Sequence, residues 1–295
     1  MIPDPGVKLT RVSEILGTRV ALAGPGRAGR AFARSWTRAG GRIATVIRRK
    51  PEASEPPELA GAAAASLSES RFPDCDILVL AVPDDAIEDV AASLAPRIAC
   101  RLAFHLSGAL PSDALAALRA RGASVASLHP VRPFTGASDE DWAGTHVAVE
   151  GDSAASAAGE ELSRFVGAKP FRLTAEAKPI YHASASLAAG GAVAVLAVAV
   201  RGWMAAGIPE HVAREALSDL SSRATAAAGH QPFAQALTGA VARRDIGTIR
   251  SHAAALAGFP EALALYRALA EEILRVTEGR GREDLVRDAL RSGPD

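Results

Sequence analysis

The 295-residue chain has little of several features that mark specialised classes of protein. Its two cysteines, Cys75 and Cys100, stand in neither a metal-ligand nor a redox spacing, so two reduced thiols in a cytoplasmic protein are expected. Basic and acidic residues number 33 each, which leaves no net field to attract nucleic acid or anionic lipid. Aromatic residues make up only 4%, and alanine, a strong helix former, supplies much of the apolar content.

The chain also lacks an apolar leader and has only one long uncharged run. The opening residues "MIPDPGVKLTRVSEILG" carry prolines and charges, so we expect no signal peptide. The uncharged run, 183–200, reads "ASASLAAGGAVAVLAVAV" and is close to the length of about 20 residues that a membrane span needs. Its many alanines, serines and glycines favour a buried central helix and no membrane partner. Small residues also allow close helix packing, so a homodimer through this region is compatible with the sequence.

A glycine-rich turn stands between two predicted strands near the start of the chain. The apolar run Val20–Ala23 leads into "GPGRAG" at 24–29, a helical pattern follows to Arg38, and a second strand is predicted over 42–47. Because a strand precedes the Gly-x-Gly-x-x-Gly pattern and a helix follows it, the pattern is typical of a dinucleotide-binding turn.

Each glycine of the turn has a chemical reason in this interpretation. The first allows the tight turn, the second lets the backbone approach a pyrophosphate, and the third lets the helix pack against the strand. The helix N-terminus offers unpaired N–H groups to the phosphates. The predicted cofactor-binding residues of the turn are Gly24, Pro25, Gly26, Arg27, Ala28 and Gly29.

The end of the second strand predicts which dinucleotide binds. An acidic residue is typical there when NAD is bound, but this chain reads Arg48-Arg49-Lys50. Guanidinium groups suit a 2′-phosphate, so the sequence predicts NADP(H). A solvated basic turn is the alternative.

Strand and helix patterns alternate through the first half of the chain and give way to helices alone from Ala175. Further strands are predicted over 76–82, 101–106, 123–128, 146–149 and 169–173. The predicted fold class is therefore α/β, a doubly wound, mostly parallel sheet followed by an all-helical domain. The predicted organisation is an N-terminal extension over 1–17, a dinucleotide-binding domain over 18–174, and a helical substrate and dimerisation domain over 175–295.

Three strand exits carry polar residues that should meet at one edge of the sheet. Ligands of doubly wound sheets lie beyond the carboxyl ends of the strands. The exits contain Val82-Pro83-Asp84, His105 with Ser107, and His129 of the stretch "SLHPVRPF". We assign the first to the cofactor and the other two to catalysis, with an ordinary hydrogen-bonded histidine as the alternative for each ring.

The helical half adds further predicted site residues. Lys178, Tyr181 and His182 open the long apolar helix and would reach the substrate, while Arg243 could pair with a substrate carboxylate. The cleft between the two domains would hold that substrate. No pair of the seven histidines shows metal-ligand spacing on one element, so no metal is expected.

The ordered motifs "GPGRAG", "VPDD", "HLSGAL", "SLHPVRPF", "KPIYHASAS" and "ALTGAVARRD" resemble a bacterial Rossmann-like family with a C-terminal helical domain of unknown function, domain of unknown function 2520. The resemblance runs from about Thr18 to Tyr266. The family looks related to ketopantoate reductases, pyrroline-carboxylate reductases and deazaflavin-linked NADP reductases, which implies a Rossmann fold and a nicotinamide cofactor. The His-Pro step is similar to that of prephenate dehydrogenases, which implies a catalytic His129. The chain departs from its relatives at Gly190, where they usually carry Asn, and in "GAVARRD", where they read Gly-Pro-x-x-Arg-Gly-Asp.

The resulting hypothesis is an NADP(H)-dependent oxidoreductase that transfers a hydride to or from a small carbonyl, imine or hydroxy compound. His129 or His105 would exchange the proton, and Ser107 would hydrogen-bond the same substrate group. The missing Asn keeps open a second hypothesis, an NADP(H)-binding sensor or scaffold without turnover. The His-Pro step keeps open a third, a prephenate-type dehydrogenase.

Overall fold

The computed structural model of the protein describes residues 17–49 and 56–291. Within them, eight strands form one sheet in the order β3-β2-β1-β4-β5-β6-β7-β8. Neighbouring strands are parallel except β6 and β7, which are antiparallel. The strands are β1 Val20–Ala23, β2 Ile43–Arg48, β3 Ala63–Ser66, β4 Ile77–Leu80, β5 Leu102–His105, β6 Ser124–Pro130, β7 His146–Gly151 and β8 Lys169–Arg172. The predicted mostly parallel sheet is confirmed.

The central strands β1 and β4 are buried on both faces, as expected of a doubly wound sheet. Alternate residues enter two separate cores: Leu22 and Val79 face one, and Ala23 and Leu80 face the other. The α-helices of this unit are α1 Arg27–Arg38, α2 Ile87–Leu94, α3 Ala116–Arg119, α4 Ser153–Phe165 and α5 Lys178–Ser186. The continuous apolar character of the central strands follows from this double burial.

Two features of the first unit differ from the local sequence pattern. Strand β3 was not predicted, because its sequence "AAAS" lacks the β-branched and aromatic residues that mark strands. The stretch Ser112–Leu115 forms a 3₁₀ turn, and the Ser112 hydroxyl donates to Glu150. Both depend on partners distant in the chain.

The second compact unit begins at Leu187 and is helical in its described residues. The predicted domain boundary lies twelve residues earlier, so α5 belongs with the first unit. A single π turn, Leu187–Gly191, precedes the helices. They are α6 Ala192–Ala205, α7 Glu210–Ala228, α8 Phe233–Ala236, α9 Ala240–Arg243, α10 Ile246–Ala255, α11 Pro260–Val276 and α12 Glu283–Arg291.

The long apolar helix is exposed in the single chain, and the prediction that it is buried is wrong for that chain. The stretch Ala175–Ala205 is long and apolar enough to cross a membrane by length and composition, and none of its most apolar 18-residue window is buried. Helix α6 buries only Val200. The described part of the second unit forms two small apolar clusters, and α6 contributes Val200, Leu196 and Ala199 to one of them.

The motif "GAVARRD" serves the structure of the second unit. Arg244 adopts a left-handed conformation (φ 56°) and is buried, and its guanidinium donates to Thr277 and Glu283. Asp245 accepts from the backbone N–H of Thr248 and so caps α10. These contacts join α9, α10 and the start of α12.

Candidate functional site

The glycine-rich turn has the geometry that its sequence pattern predicts. Gly24 has a φ of +85°, and its N–H donates to the Ile47 carbonyl at 3.0 Å. A Cβ on Gly29 would lie 2.5 Å from the Gly24 carbonyl oxygen, so α1 packs closely on β1 only because residue 29 has no side chain. A Cβ on Gly26 would meet no atom within 4 Å. Open space therefore faces the backbone at the point where a pyrophosphate would approach.

A groove of about 380 Å³ runs along the turn. Its lining includes Ala23, Gly24, Pro25, Gly26, Ile47, Arg48, Arg49, Leu67, Ala81, Val82, Pro83 and Val90. The groove combines an open glycine backbone, the Gly26 residue that precedes α1, and the arginines Arg48 and Arg49. These features fit a phosphate-bearing dinucleotide.

The predicted cofactor residues fall into several positions. Arg48 is buried and Arg49 is exposed, and both line the groove, whereas Lys50 lies outside the described residues. Asp84 is exposed and does not line the groove. Arg27 lines a separate cavity of about 220 Å³. Ala28 packs against the apolar core beside the strands.

A cluster of polar side chains lies at the carboxyl ends of β5 and β6, and helix α5 completes it. We define the polar cluster as Ser107, Ser127, His129, Lys178, Tyr181 and His182, which all belong to the first unit. Ser127 and His129 point to the same face of β6 because side chains alternate along a strand. Lys178, Tyr181 and His182 share one face of α5 because they are three and four residues apart.

His129 and Tyr181 form the closest contact within the polar cluster. The His129 Nδ1 and the Tyr181 hydroxyl oxygen are 2.5 Å apart, and the His182 ring lies 5.9 Å from the His129 ring. Burial, followed by the charge of Lys178, lowers the pKa of His129 to about 4. Burial raises the pKa of Tyr181 to about 12. Near neutral pH the tyrosine is therefore the donor and Nδ1 the acceptor, which assigns the ring hydrogen of His129 to Nε2.

Lys178 is a buried cation held by uncharged acceptors. It is 1% exposed, and its Nζ donates to the Ser127 Oγ at 2.7 Å and to the Ser107 carbonyl at 3.4 Å. Burial lowers the pKa of Lys178 to about 8, and the charges of Glu150 and Asp84 oppose that shift. Buried lysines with a lowered pKa are uncommon outside functional sites.

His105 is buried among backbone groups, and its predicted role in proton exchange stays a prediction. Its ring is 0% exposed, Nε2 lies 3.1 Å from the Pro111 carbonyl, and Nδ1 accepts the Ser107 N–H at 3.2 Å. Both ring nitrogens are thus used by the backbone, and burial lowers the pKa of His105 to about 4. His105 holds the exit of β5, and His129 is the histidine whose ring meets another site side chain.

Ser107 occupies the turn after β5, where its hydroxyl oxygen accepts the N–H groups of Ala109 and Leu110. Its hydroxyl hydrogen is left for another acceptor, so the predicted hydrogen bond to a substrate group stays a prediction. Arg243 belongs to the second unit, is exposed, and donates to the Thr238 carbonyl. Its pairing with a substrate carboxylate also stays a prediction.

Three residues of the site were not singled out from the sequence. Ser127 binds Lys178, Gly108 lies against the rings of His129 and His182, and Glu150 is the register partner of Ser127 on β7. Ser127 and Gly108 stand inside the quoted motifs "SLHPVRPF" and "HLSGAL", so their motifs carried a signal. The sequence carried no signal for Glu150, because a single sequence does not show which residues pair across strands.

Among the described residues, no group of three or more histidine, cysteine, aspartate or glutamate side chains is arranged to hold a metal ion.

The strand order and the glycine-rich turn are those of a Rossmann-type fold, and the described C-terminal region is helical. Residues 19–101 match the family model "NADP oxidoreductase coenzyme F420-dependent". Residues 145–273 match "Domain of unknown function (DUF2520)". The resemblance inferred from the sequence motifs is thereby confirmed.

Solved structures support the same fold. Protein TM1727 from Thermotoga maritima is 20% identical, with a TM-score of 0.70 over 88% of this chain and 98% of its own. An imine reductase from Myxococcus stipitatus in complex with NADP+ is 18% identical, with a TM-score of 0.62 over 92% and 100%. A pyrroline-5-carboxylate reductase from Coxiella burnetii is 13% identical, with a TM-score of 0.58 over 94% and 99%. No curated protein matches the chain.

Proposed function

We propose that the protein is an NADP(H)-dependent oxidoreductase that reduces a small carbonyl or imine compound or oxidises the corresponding hydroxy or amino compound. One observation carries the proposal: the glycine-lined groove and the polar cluster lie at the same carboxyl edge of one sheet. The imine and pyrroline-carboxylate reductases with the same fold support the choice of substrate group.

The groove residues would hold the cofactor in separate ways. The backbone of Gly24 and Gly26 and the N-terminus of α1 would bind the pyrophosphate, and Arg48 and Arg49 would bind the 2′-phosphate. The nicotinamide supplies the hydride chemistry when bound. The protein's own contribution is to position the substrate and to move a proton.

The His129–Tyr181 pair would provide that proton. During reduction the proton leaves Nε2 of His129 for the substrate oxygen or nitrogen, while Nδ1 takes the hydroxyl proton of Tyr181. The negative charge then remains on the tyrosine oxygen until water returns a proton. Ser107 would hydrogen-bond the same substrate atom.

A deuterium-transfer screen tests this proposal. The protein is incubated with NADPH deuterated at C4 and with small panels of aldehydes, ketones and cyclic imines. Deuterium in a product, with turnover lowered roughly 10²-fold or more by His129→Gln, supports the assignment. Full turnover by that variant would refute the role of His129. Tight cofactor binding without transfer to any panel member would favour the sensor hypothesis, which Gly190 keeps open.

The proposal also includes a second copy of the chain as partner. Leu187 is 74% exposed and Val193 is 66% exposed, although both belong to the uncharged helical run. Helix α7 packs on α6 and carries exposed charged residues such as Glu210 and Arg214, which the hydrocarbon core of a membrane would exclude. A symmetric helical interface would cover the apolar residues without placing these charges in lipid. A cytoplasmic location and the absence of nucleic-acid partners remain predictions.

A further inference from the structure

The anchoring of helix α5 is unusual because Lys178 is its one buried residue. Most helices pack through apolar side chains. Here Ile180 is 70% exposed, while the lysine is 1% exposed. The helix that carries Tyr181 thus meets the sheet through an ammonium group.

The hydrogen bonds of Ser127 explain how this ammonium is held. The Ser127 hydroxyl is 0% exposed, accepts from Lys178 at 2.7 Å and donates to the Ser107 carbonyl at 2.9 Å. Among the described residues, no carboxylate forms an ion pair with Lys178. Glu150 is the register neighbour of Ser127, but its two oxygens accept the N–H and hydroxyl of Ser112. Uncharged acceptors therefore hold the positive charge.

The positive charge of Lys178 lies near the His129–Tyr181 pair. Ser127 and His129 are two residues apart on one face of β6, and Lys178 lies one helical turn before Tyr181. A cation near the pair repels a second proton on His129 and stabilises the negative charge that proton donation leaves on Tyr181. The titratable groups around His129 are Lys178, Tyr181 and His182 on α5, His105 on β5 and Glu150 on β7.

We propose that Ser127 is a positioning residue that holds the buried ammonium of Lys178 near the His129–Tyr181 pair, where its charge keeps the pair ready to give up a proton. This inference rests on the proposed function for its chemical meaning. The electrostatic effect of Lys178 on His129 does not require a substrate and can be measured in the free protein. A purely structural lysine would hold α5 and leave the protonation of His129 unchanged.

Histidine NMR titration of the full chain tests the inference. The His129 resonance is assigned with His129→Gln, and its pKa is measured in the wild type and in Lys178→Met. Methionine keeps an unbranched side chain, one atom shorter than that of lysine, and leaves Ser127 able to donate to the Ser107 carbonyl. Removing the cation should raise the pKa of His129 above about 4, but not to the ordinary 6.5, because burial is the larger cause of the shift and remains in the variant. The matched control Lys169→Met removes an exposed lysine of the same unit and should leave the resonance unchanged.

A folded Lys178→Met protein with an unchanged His129 titration would overturn the inference. Ser127→Ala provides a second measurement if Lys178→Met does not fold. The chain has four lysines, so the Lys178 side-chain resonance can be resolved by selective labelling. Loss of the Ser127 acceptor should lower the pKa of Lys178 below about 8, and an unchanged value would remove Ser127 from its role. A failure to find hydride transfer would refute the proposed function and leave both titrations valid.

Discussion

Gly108 lies where the chain leaving β5 passes closest to the rings of the polar cluster. A Cβ at this position would lie 2.7 Å from both Cε1 and Nε2 of His129 and 2.8 Å from Cδ2 of His182. The φ of Gly108 is outside the left-handed region, so an alanine there would cause no backbone strain. Its Cβ would instead clash with the two histidine rings. The missing side chain is what allows the two rings to occupy their positions.

We expect Gly108→Ala to displace the His129 ring from Tyr181. The variant should be destabilised by about 1–3 kcal/mol, as for other overpacked sites. The Nδ1 and Nε2 chemical shifts of His129 should move as the tyrosine hydrogen bond is lost. Gly202→Ala is the matched control, because a Cβ there meets no atom within 4 Å and α6 should gain roughly 0.5–1 kcal/mol. Unchanged His129 shifts in Gly108→Ala would show that the ring does not depend on this glycine.

At the scale of the elements, apolar runs predicted the central strands well. β1 and β4 are buried on both faces, so their sequences are continuously apolar and are recognisable in isolation. β6 extends through Pro130, two residues beyond the predicted end, because it pairs with β7. β3 was missed because its alanines carry no strand signal.

The site was predictable to the extent that it follows from strand direction. The rule that ligands lie at the carboxyl ends of parallel strands predicts from the sequence that Ser107 and His129 belong to one site. The same rule could not separate His105, whose nitrogens are consumed by backbone groups, from His129, whose ring meets Tyr181. That difference depends on contacts between distant segments, which residue types alone do not encode.

The exposed helix of the second unit leads to a prediction about assembly. Leu187→Glu places a charge in the uncharged run and should convert a dimer into a monomer, because burying an unpaired carboxylate costs several kcal/mol. Analytical ultracentrifugation over a range of concentrations measures the change. Leu285→Glu is the control, since Leu285 is also exposed but belongs to α12. A wild-type chain that remains monomeric at high concentration would contradict the proposed partner.

At the scale of the whole molecule, the buried histidines should make the fold sensitive to acid. Burial lowers the pKa of His105 to about 4 from an ordinary 6.5, so the unfolded chain binds a proton that the folded chain rejects. The free energy of unfolding should therefore fall as the pH drops from 6.5 toward 4, by about 2 kcal/mol for this one residue between pH 7 and pH 5.

Urea denaturation at pH 7 and pH 5 measures this loss. His105→Asn keeps an acceptor for the Ser107 N–H and removes the titrating ring, so its stability should fall less between the two pH values than that of the wild type. His230→Asn, at an exposed position, should reproduce the wild-type difference. An equal loss in His105→Asn and wild type would show that His105 does not contribute.

The proposed function requires that the groove at the glycine turn binds NADP(H). Isothermal titration calorimetry of NADPH and NADH against the wild type, Arg49→Ala and Arg42→Ala tests this most directly. Arg49 lines the groove, whereas Arg42 is an exposed arginine before β2 that does not. We expect the wild type to bind NADPH more tightly than NADH. Arg49→Ala should lose roughly tenfold or more in NADPH affinity, whereas Arg42→Ala should keep the wild-type affinity. Binding of neither dinucleotide, or tighter binding of NADH by the wild type, would contradict the proposed function.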